Sequence, residues 1–327
     1  MKSLAIFLFA LTPAFAAVDG VVVNGTTGKP QPNAVVMLVQ PTQAGMKNLG
    51  TTKTDAQGHF SFDSNDDSGP RLVQAVFEGV EYNHMVPPGM PSTGLQIPVF
   101  DSTKKEGTAK VTQHFIVLQP GDKDMTVSEG LLYVGDPNLT YNDPVNGSVR
   151  FYVPPGAQGL GNVTVNPAGG MPIQRPALKT KEPDIYKVDY PVRPGETRFD
   201  INYTLPLANP MIFTDKEIHP EASANLVVPN GVTVKSDDLE LAGTEPKTQA
   251  TIYHIKNASF SGFKVEVQGT GLLQDQSQSQ GSADDSGQPQ VEEVKPRIYE
   301  SMYWILGMAF AILGLGSVLL ARHSSAK

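Results

Sequence analysis

One uncharged apolar run, residues 302–321, sets the frame for the rest of this 327-residue chain. At about 1.5 Å per residue, a helix of that length spans roughly 30 Å, the hydrocarbon thickness of a bilayer. Arg322 and a short polar tail follow it. Tyr299, Tyr303 and Trp304 stand at its leading edge, where amphipathic rings favour the headgroup zone. The pattern predicts a single transmembrane helix over 298–321 and a cytoplasmic tail over 322–327. Everything upstream is then displayed at a membrane surface. Gly307, Ala311 and Gly314 share one face of that helix. Small residues at this spacing let two helices approach closely, which offers a route to self-association.

The opposite end suggests the orientation. Lys2 precedes the apolar stretch 4–11, which is followed by Thr12, Pro13 and the small-residue pattern Ala14-Phe15-Ala16. A basic start, a short apolar core and an Ala-x-Ala site describe a secretory signal peptide over 1–16, cut after Ala16 or Ala17. The stretch is too short to span a bilayer comfortably. The expected location is therefore the cell membrane, single-pass, with the ectodomain outside the cytoplasm, in the periplasm or at the cell surface. Charge bias adds little, because Arg322 and Lys327 on one side are balanced by Lys295 and Arg297 on the other.

The formal net charge is −8. Those four basic residues flank the apolar run, so the region before them is more acidic still. An acidic ectodomain argues against nucleic acid or anionic headgroups as partners. There is no cysteine. This excludes disulfides, a lipidated cysteine, cysteine-based zinc sites and a thiol nucleophile. It fits a bacterial envelope protein better than a small disulfide-dense ectodomain. With 31 Gly and 27 Pro, the chain suits many short strands joined by turns.

The segment 17–120 reads as strands and turns. Val21, Val22 and Val23 follow Gly20, and Thr26-Thr27-Gly28-Lys29-Pro30 is turn chemistry. Residues 34–39 form a second β-rich run, and Phe60 and Phe62 alternate with Ser61. Residues 72–77 make another strand, and 115–118 the last. Between them stands Thr54-Asp55-Ala56-Gln57-Gly58-His59-Phe60. There Asp55 is suited to cap a β-turn, Gly58 to take φ > 0, and Phe60 to enter the core.

Three stretches together resemble the carboxypeptidase regulatory-like domain: Gly20-Val21-Val22 with Thr27-Gly28-Lys29-Pro30, the Thr-Asp-x-x-Gly-x-Phe turn at 54–60, and Gly79-Val80-Glu81-Tyr82. The resemblance covers about a third of the chain. It implies a transthyretin-like, immunoglobulin-like β-sandwich of roughly seven strands. It implies no enzyme, because the module is appended to many unrelated proteins. The His-x-x-Glu zinc motif of the carboxypeptidases and the Tyr-Arg-Gly-Ser signature of the related purine hydrolases are both absent. Related sandwich modules bind glycans through exposed aromatic rings, and Tyr82 and Phe100 are the candidates here.

The segment 121–269 continues the texture. Phe199, Ile201, Tyr203 and Leu205 alternate with Arg198, Asp200, Asn202 and Thr204, a half-buried strand. Further short runs fall at 149–153, 162–165, 185–190, 211–214, 226–228, 232–234, 251–255 and 263–267. The fold class predicted is all-β: two tandem antiparallel β-sandwich domains, a disordered linker and one C-terminal transmembrane helix. The linker, 270–297, is rich in Gln, Ser, Asp and Gly, with little to bury. A flexible tether of that length spans roughly 25–30 Å.

Other chemistry is sparse. Asp63, Asn65 and Asp67 alternate as calcium ligands do, but the glycine falls late and Gln74 stands where a bidentate Glu belongs. His84, Met85 and Met90 offer a soft set suited to Cu(I), with His114 a further donor from a neighbouring strand. Ser102-Thr103-Lys104-Lys105 matches Ser-x-x-Lys, a pattern that needs a helix to work as a nucleophile. No Walker loop, Gly-x-Ser-x-Gly or His-Glu-x-x-His is present. The reading is a non-catalytic envelope protein without cofactor that binds or scaffolds a protein partner. A glycan-binding module and a calcium- or copper-binding envelope protein stand as the alternatives.

Overall fold

The computed structural model describes residues 17–42, 45–63, 69–208, 210–216, 218–219, 222–256 and 262–273. The expected signal peptide, the transmembrane helix and the linker beyond residue 273 lie outside the described residues. Every named element is a β-strand. Among the described residues no helix is long and apolar enough to cross a membrane.

The strands build two hydrophobic cores. The first lies between two sheets. In one, Ala17–Asn24 is flanked by Leu95–Val99 on one side and by His59–Asp63 and Lys29–Pro30 on the other. In the other, the order is Gly45–Lys53, Val35–Thr42, Arg71–Phe77, Val80–Val86. Val22, Leu38, Phe60, Val73, Val80 and Ile97 meet between them. Period-2 alternation dictates this: in His59–Asp63 the two phenylalanines point inward while His59, Ser61 and Asp63 point out.

The Asp55 turn forms as its residues direct. The amides of Gln57 and His59 donate to Asp55 Oδ1 at 2.9 and 2.8 Å. Gly58 adopts φ +77°, and a Cβ there would lie 2.7 Å from the Val22 carbonyl oxygen. The position therefore demands glycine twice, by dihedral and by space.

The second core is larger. An eight-stranded sheet runs Ile173–Pro176, Asn162–Pro167, Gly195–Pro206, Asp124–Gly135, Ala109–Pro120, Ser223–Val228, Thr251–Ile255, Leu239–Thr244. Its inner face packs against two three-stranded sheets. One is Met211–Asp215, Phe263–Gln268 and Thr233–Lys235; the other is Val149–Tyr152, Ile185–Val188 and Leu178–Lys179. Ile116, Leu118, Leu131, Phe199, Ile201, Phe213 and Phe263 fill the space between.

Two expectations need correction. The run 115–118 does not close the first sandwich. It belongs to Ala109–Pro120, which pairs with Asp124–Gly135 and Ser223–Val228 and sends Ile116 and Leu118 into the second core. The sheets are also not purely antiparallel. Ala17–Asn24 pairs parallel with Leu95–Val99, and Ala109–Pro120 with Ser223–Val228. In each case a long excursion separates the partners, long enough for the crossover that a parallel pair requires.

Both cores fall within one compact unit, and a small polar seam joins them. Ser102–Thr103 pairs parallel with Thr140–Tyr141. Thr26 Oγ1 donates to the Asn138 carbonyl at 2.5 Å. Arg193 Nη1 donates to the Glu81 carbonyl at 2.7 Å. The first residues after the last strand stay attached too: Gly271 N donates to the Pro120 carbonyl and Leu273 N to Gln119 Oε1.

Candidate functional site

Two features stand back to back in the eight-stranded sheet. The outer face carries a groove of about 520 Å³, floored by Gln113, Phe115 and Val117, by Ser128, Gly130 and Leu132, and by Arg198, Asp200 and Asn202. These are alternate residues of three adjacent strands, so one pleat aims all of them outward. Register puts Ser128 opposite Asn202, Gly130 opposite Asp200 and Leu132 opposite Arg198. Phe115 is 40% exposed, unusual for a ring in the middle of a sheet.

The polar side chains of the groove are held in place by one another. Ser128 Oγ donates to Asn202 Oδ1 at 2.7 Å. Arg198 Nε donates to Asp200 Oδ1, and Asn166 Nδ2 to Asp200 Oδ2, both at 2.7 Å. Gly130 leaves the floor low: a Cβ there would meet Asp200 Oδ1 at 3.6 Å, an ordinary contact. The result is a fixed array of donors and acceptors around one exposed ring, of a size typical of ligand clefts.

Behind it, two of the same strands and one strand of a facing sheet bring polar groups together. His114, Glu129 and Asp215 are buried, and one potential ligand atom of each lies within 4.8 Å of the others. His114 Nε2 lies 3.1 Å from Glu129 Oε2. The Tyr203 hydroxyl donates to Glu129 Oε1. Burial, then the Glu129 charge, hold the Tyr203 phenol well above its ordinary value, so it keeps its proton and acts as donor. Nearby, His219 Nε2 lies 2.8 Å from the Arg150 carbonyl and 3.2 Å from the Tyr133 hydroxyl. A carbonyl only accepts, so this nitrogen carries a proton. Lys216 sets its ammonium over the Tyr152 ring, 5.2 Å from the centroid.

The residues singled out from sequence lie elsewhere. Tyr82 is 5% exposed, and a sugar platform needs an open ring face. Its hydroxyl donates to the Phe100 carbonyl at 2.9 Å and lies 2.8 Å from Thr140 Oγ1, inside the seam between the cores. Phe100 is half-buried and packs on Tyr82, centroids 6.1 Å apart. Neither ring forms a platform. His84 and Met85 are successive residues of Val80–Val86 and so point to opposite faces. Met90 sits in the turn beyond, and His114 faces Glu129 in the other core. The copper set as drawn does not converge. Of the calcium set, Asp63 ends its strand exposed, and Asn65 and Asp67 lie outside the described residues. Ser102 lies in a two-residue strand, not the helix that Ser-x-x-Lys needs.

Sequence reasoning missed the strand Asp124–Gly135 and with it Glu129. Met125, Val127, Leu131 and Tyr133 alternate correctly, but a glutamate occupies the inward position between them. That break was the available signal. A charged residue in phase with an apolar face marks a buried polar site.

No family model matches this chain, and neither does any curated protein. Among solved structures, a mutant M1 zinc metallopeptidase from Deinococcus radiodurans bound to a Tyr-Ser-Ala substrate is 13% identical. The match covers 50% of this chain and 44% of that one, with TM-score 0.30. The M1 zinc metallopeptidase of the same organism without that mutation is 12% identical over 49% and 42%, again with TM-score 0.30. The chain thus spans less than half the length of these structures, and likeness at this level carries no argument about chemistry.

Proposed function

We propose that this chain is a non-catalytic, single-pass envelope protein that holds its β-sandwiches outside the cytoplasm and binds a protein partner through the outer groove of the eight-stranded sheet. The observation that carries this reading is the groove itself: a sheet face left open by the described residues, with Phe115 exposed among side chains that hydrogen-bond one another. Preorganised polar groups around an aromatic anchor lose little entropy on binding. The acidic ectodomain, the signal-like start and the apolar run 302–321 support the location. The regulatory-like resemblance of residues 17–120 supports an accessory role, not a catalytic one.

The same geometry favours a second reading, glycan recognition. A ring flanked by Asn202, Asp200, Arg198 and Gln113 is the kind of surface that stacks on a sugar and bonds its hydroxyls. This moves the glycan alternative from the first sandwich to the second.

A photo-reactive residue at position 115 of the full chain, activated in intact envelopes, tests the reading. A discrete protein adduct is expected from position 115 and not from the exposed Lys179. Its loss in an Arg198→Glu, Asp200→Lys double variant is expected as well. Binding to a glycan array with no protein adduct favours the second reading. Location is tested by a reporter active only outside the cytoplasm, fused at Gln280; activity from a cytoplasm-only reporter there would sink the topology.

A further inference from the structure

We propose that His114, Glu129 and Asp215 bind one divalent transition-metal ion of the zinc class, clamping the two layers of the second core together. These donors alone carry the proposal, independently of the partner-binding reading.

Three strands from both layers supply the donors. His114 comes from Ala109–Pro120 and Glu129 from Asp124–Gly135, adjacent in the eight-stranded sheet. Asp215 ends Met211–Asp215, in one of the small sheets packed against it. His114, Glu129 and Asp215 are 5%, 3% and 1% exposed. The separation of 3.1 Å between His114 Nε2 and Glu129 Oε2 is close to the roughly 3.3 Å edge of a tetrahedron built on zinc bonds of about 2.0–2.2 Å. One ligand atom of each residue lies within 4.8 Å of those of the other two, and side-chain rotation closes the set.

The space is of the right kind. These residues, with Leu131, Phe151 and His219 among their neighbours, bound a void of about 10 Å³. That is room for about one water-sized particle. With three protein ligands, a zinc-class ion keeps its fourth position for a water.

Charge argues the same way. Glu129 accepts from Tyr203 and meets His114, and Asp215 Oδ1 accepts from the Lys216 amide; a divalent ion adds neutralising charge to two carboxyl groups buried together. An all-oxygen set would suit calcium or magnesium, whereas an imidazole nitrogen with two carboxylate oxygens suits zinc and its neighbours. The Tyr203 hydroxyl bonds Glu129 Oε1 and leaves Oε2, the atom nearest His114, to face the ion. Outer hydrogen bonds of this type orient metal-binding carboxylates. In a chain without cysteine, such a clamp supplies the cross-link between layers that a disulfide gives elsewhere.

The test is titration of the chelator-stripped full chain, in mild detergent, with Co²⁺, Zn²⁺ and Ca²⁺ separately. Expected are one equivalent of Co²⁺ with the visible bands of a four-coordinate ion, displacement by Zn²⁺, and a rise in thermal midpoint with Zn²⁺. Asp215→Asn and Glu129→Gln preserve side-chain shape, and each should weaken Co²⁺ binding at least tenfold. X-ray absorption of the zinc-loaded wild type should find one imidazole with oxygen ligands, a readout that does not depend on the variants folding. Failure of the wild type to take up Co²⁺ or Zn²⁺ overturns the proposal. So does uptake of Ca²⁺ alone, a shell with two or more imidazoles, or unchanged binding in both variants.

Discussion

The hydroxyl of Tyr82 lies 2.8 Å from the hydroxyl of Thr140, and the two residues belong to opposite sides of the seam between the cores. Thr140 is fully buried, and the Tyr82 hydroxyl donates on to the Phe100 carbonyl. Tyr82→Phe removes the hydroxyl and keeps the ring. It removes the partner of a half-buried carbonyl and of a buried hydroxyl, so it should cost about 1–3 kcal/mol. Urea denaturation of the full chain, followed by intrinsic fluorescence, measures it. An unchanged midpoint would mean that the seam contributes nothing to stability.

The Asp55 turn gives a three-part pattern. Gly58→Val places a β-branched residue at φ +77° with its Cβ against the Val22 carbonyl, and should cost more than about 1 kcal/mol. Phe60→Ala opens a cavity in the first core and should cost about 3–5 kcal/mol. Ser61→Ala, on the outer face, should change little. Equal, negligible costs for the first two in the same denaturation assay would contradict this turn.

A third prediction concerns acid. Hydrogen bonds from the Asn146 amide, the Asn146 side chain and the Val145 amide hold Asp143 ionised and lower its pKa below the ordinary aspartate value. A depressed folded-state pKa adds stability above about pH 4, and this is lost as pH falls through the lowered value. Asp143→Asn should therefore be less stable than wild type at neutral pH, and the gap should close below about pH 4. Denaturation midpoints at a series of pH values check the convergence. A gap that widens in acid would reverse the sign.

The groove can be filled without disturbing the sheet. Gly130 has no positive φ, and a Cβ added there would find Asp200 Oδ1 at an ordinary 3.6 Å. Gly130→Leu, at a half-buried position whose added side chain enters the groove, should leave stability within about 1 kcal/mol, yet abolish the adduct expected from position 115. Retained capture with the groove filled would place the binding face elsewhere.

Much of the architecture was legible because burial writes a period into the sequence. Phe199, Ile201, Tyr203 and Leu205 alternate cleanly and form the strand expected. The Asp55–Phe60 turn was readable because one carboxylate, one glycine and one ring each have a local task. Gly45–Lys53 was not, since its mostly exposed face carries no apolar signal. The partner choice of Ala109–Pro120 was also hidden, because the strand pairs with Ser223–Val228, distant in sequence. The candidate site followed the same division. Arg198, Asp200 and Asn202 were visible as the polar face of a strand, but that they share a groove with Phe115 depends on register. The convergence of His114, Glu129 and Asp215 depends on which sheets face each other, and no local pattern encodes that.

The parallel pairing of Ala109–Pro120 has a consequence in time. Gln113 meets Ser223, roughly 110 positions later in the chain. During synthesis from the N-terminus, Ala109–Pro120 and Asp124–Gly135 are made together and can join at once as a hairpin. The other edge of Ala109–Pro120 stays open until Ser223–Val228 emerges. An unpaired edge next to apolar side chains is a template for pairing with another chain. The nascent protein thus carries an open, aggregation-prone edge through that interval.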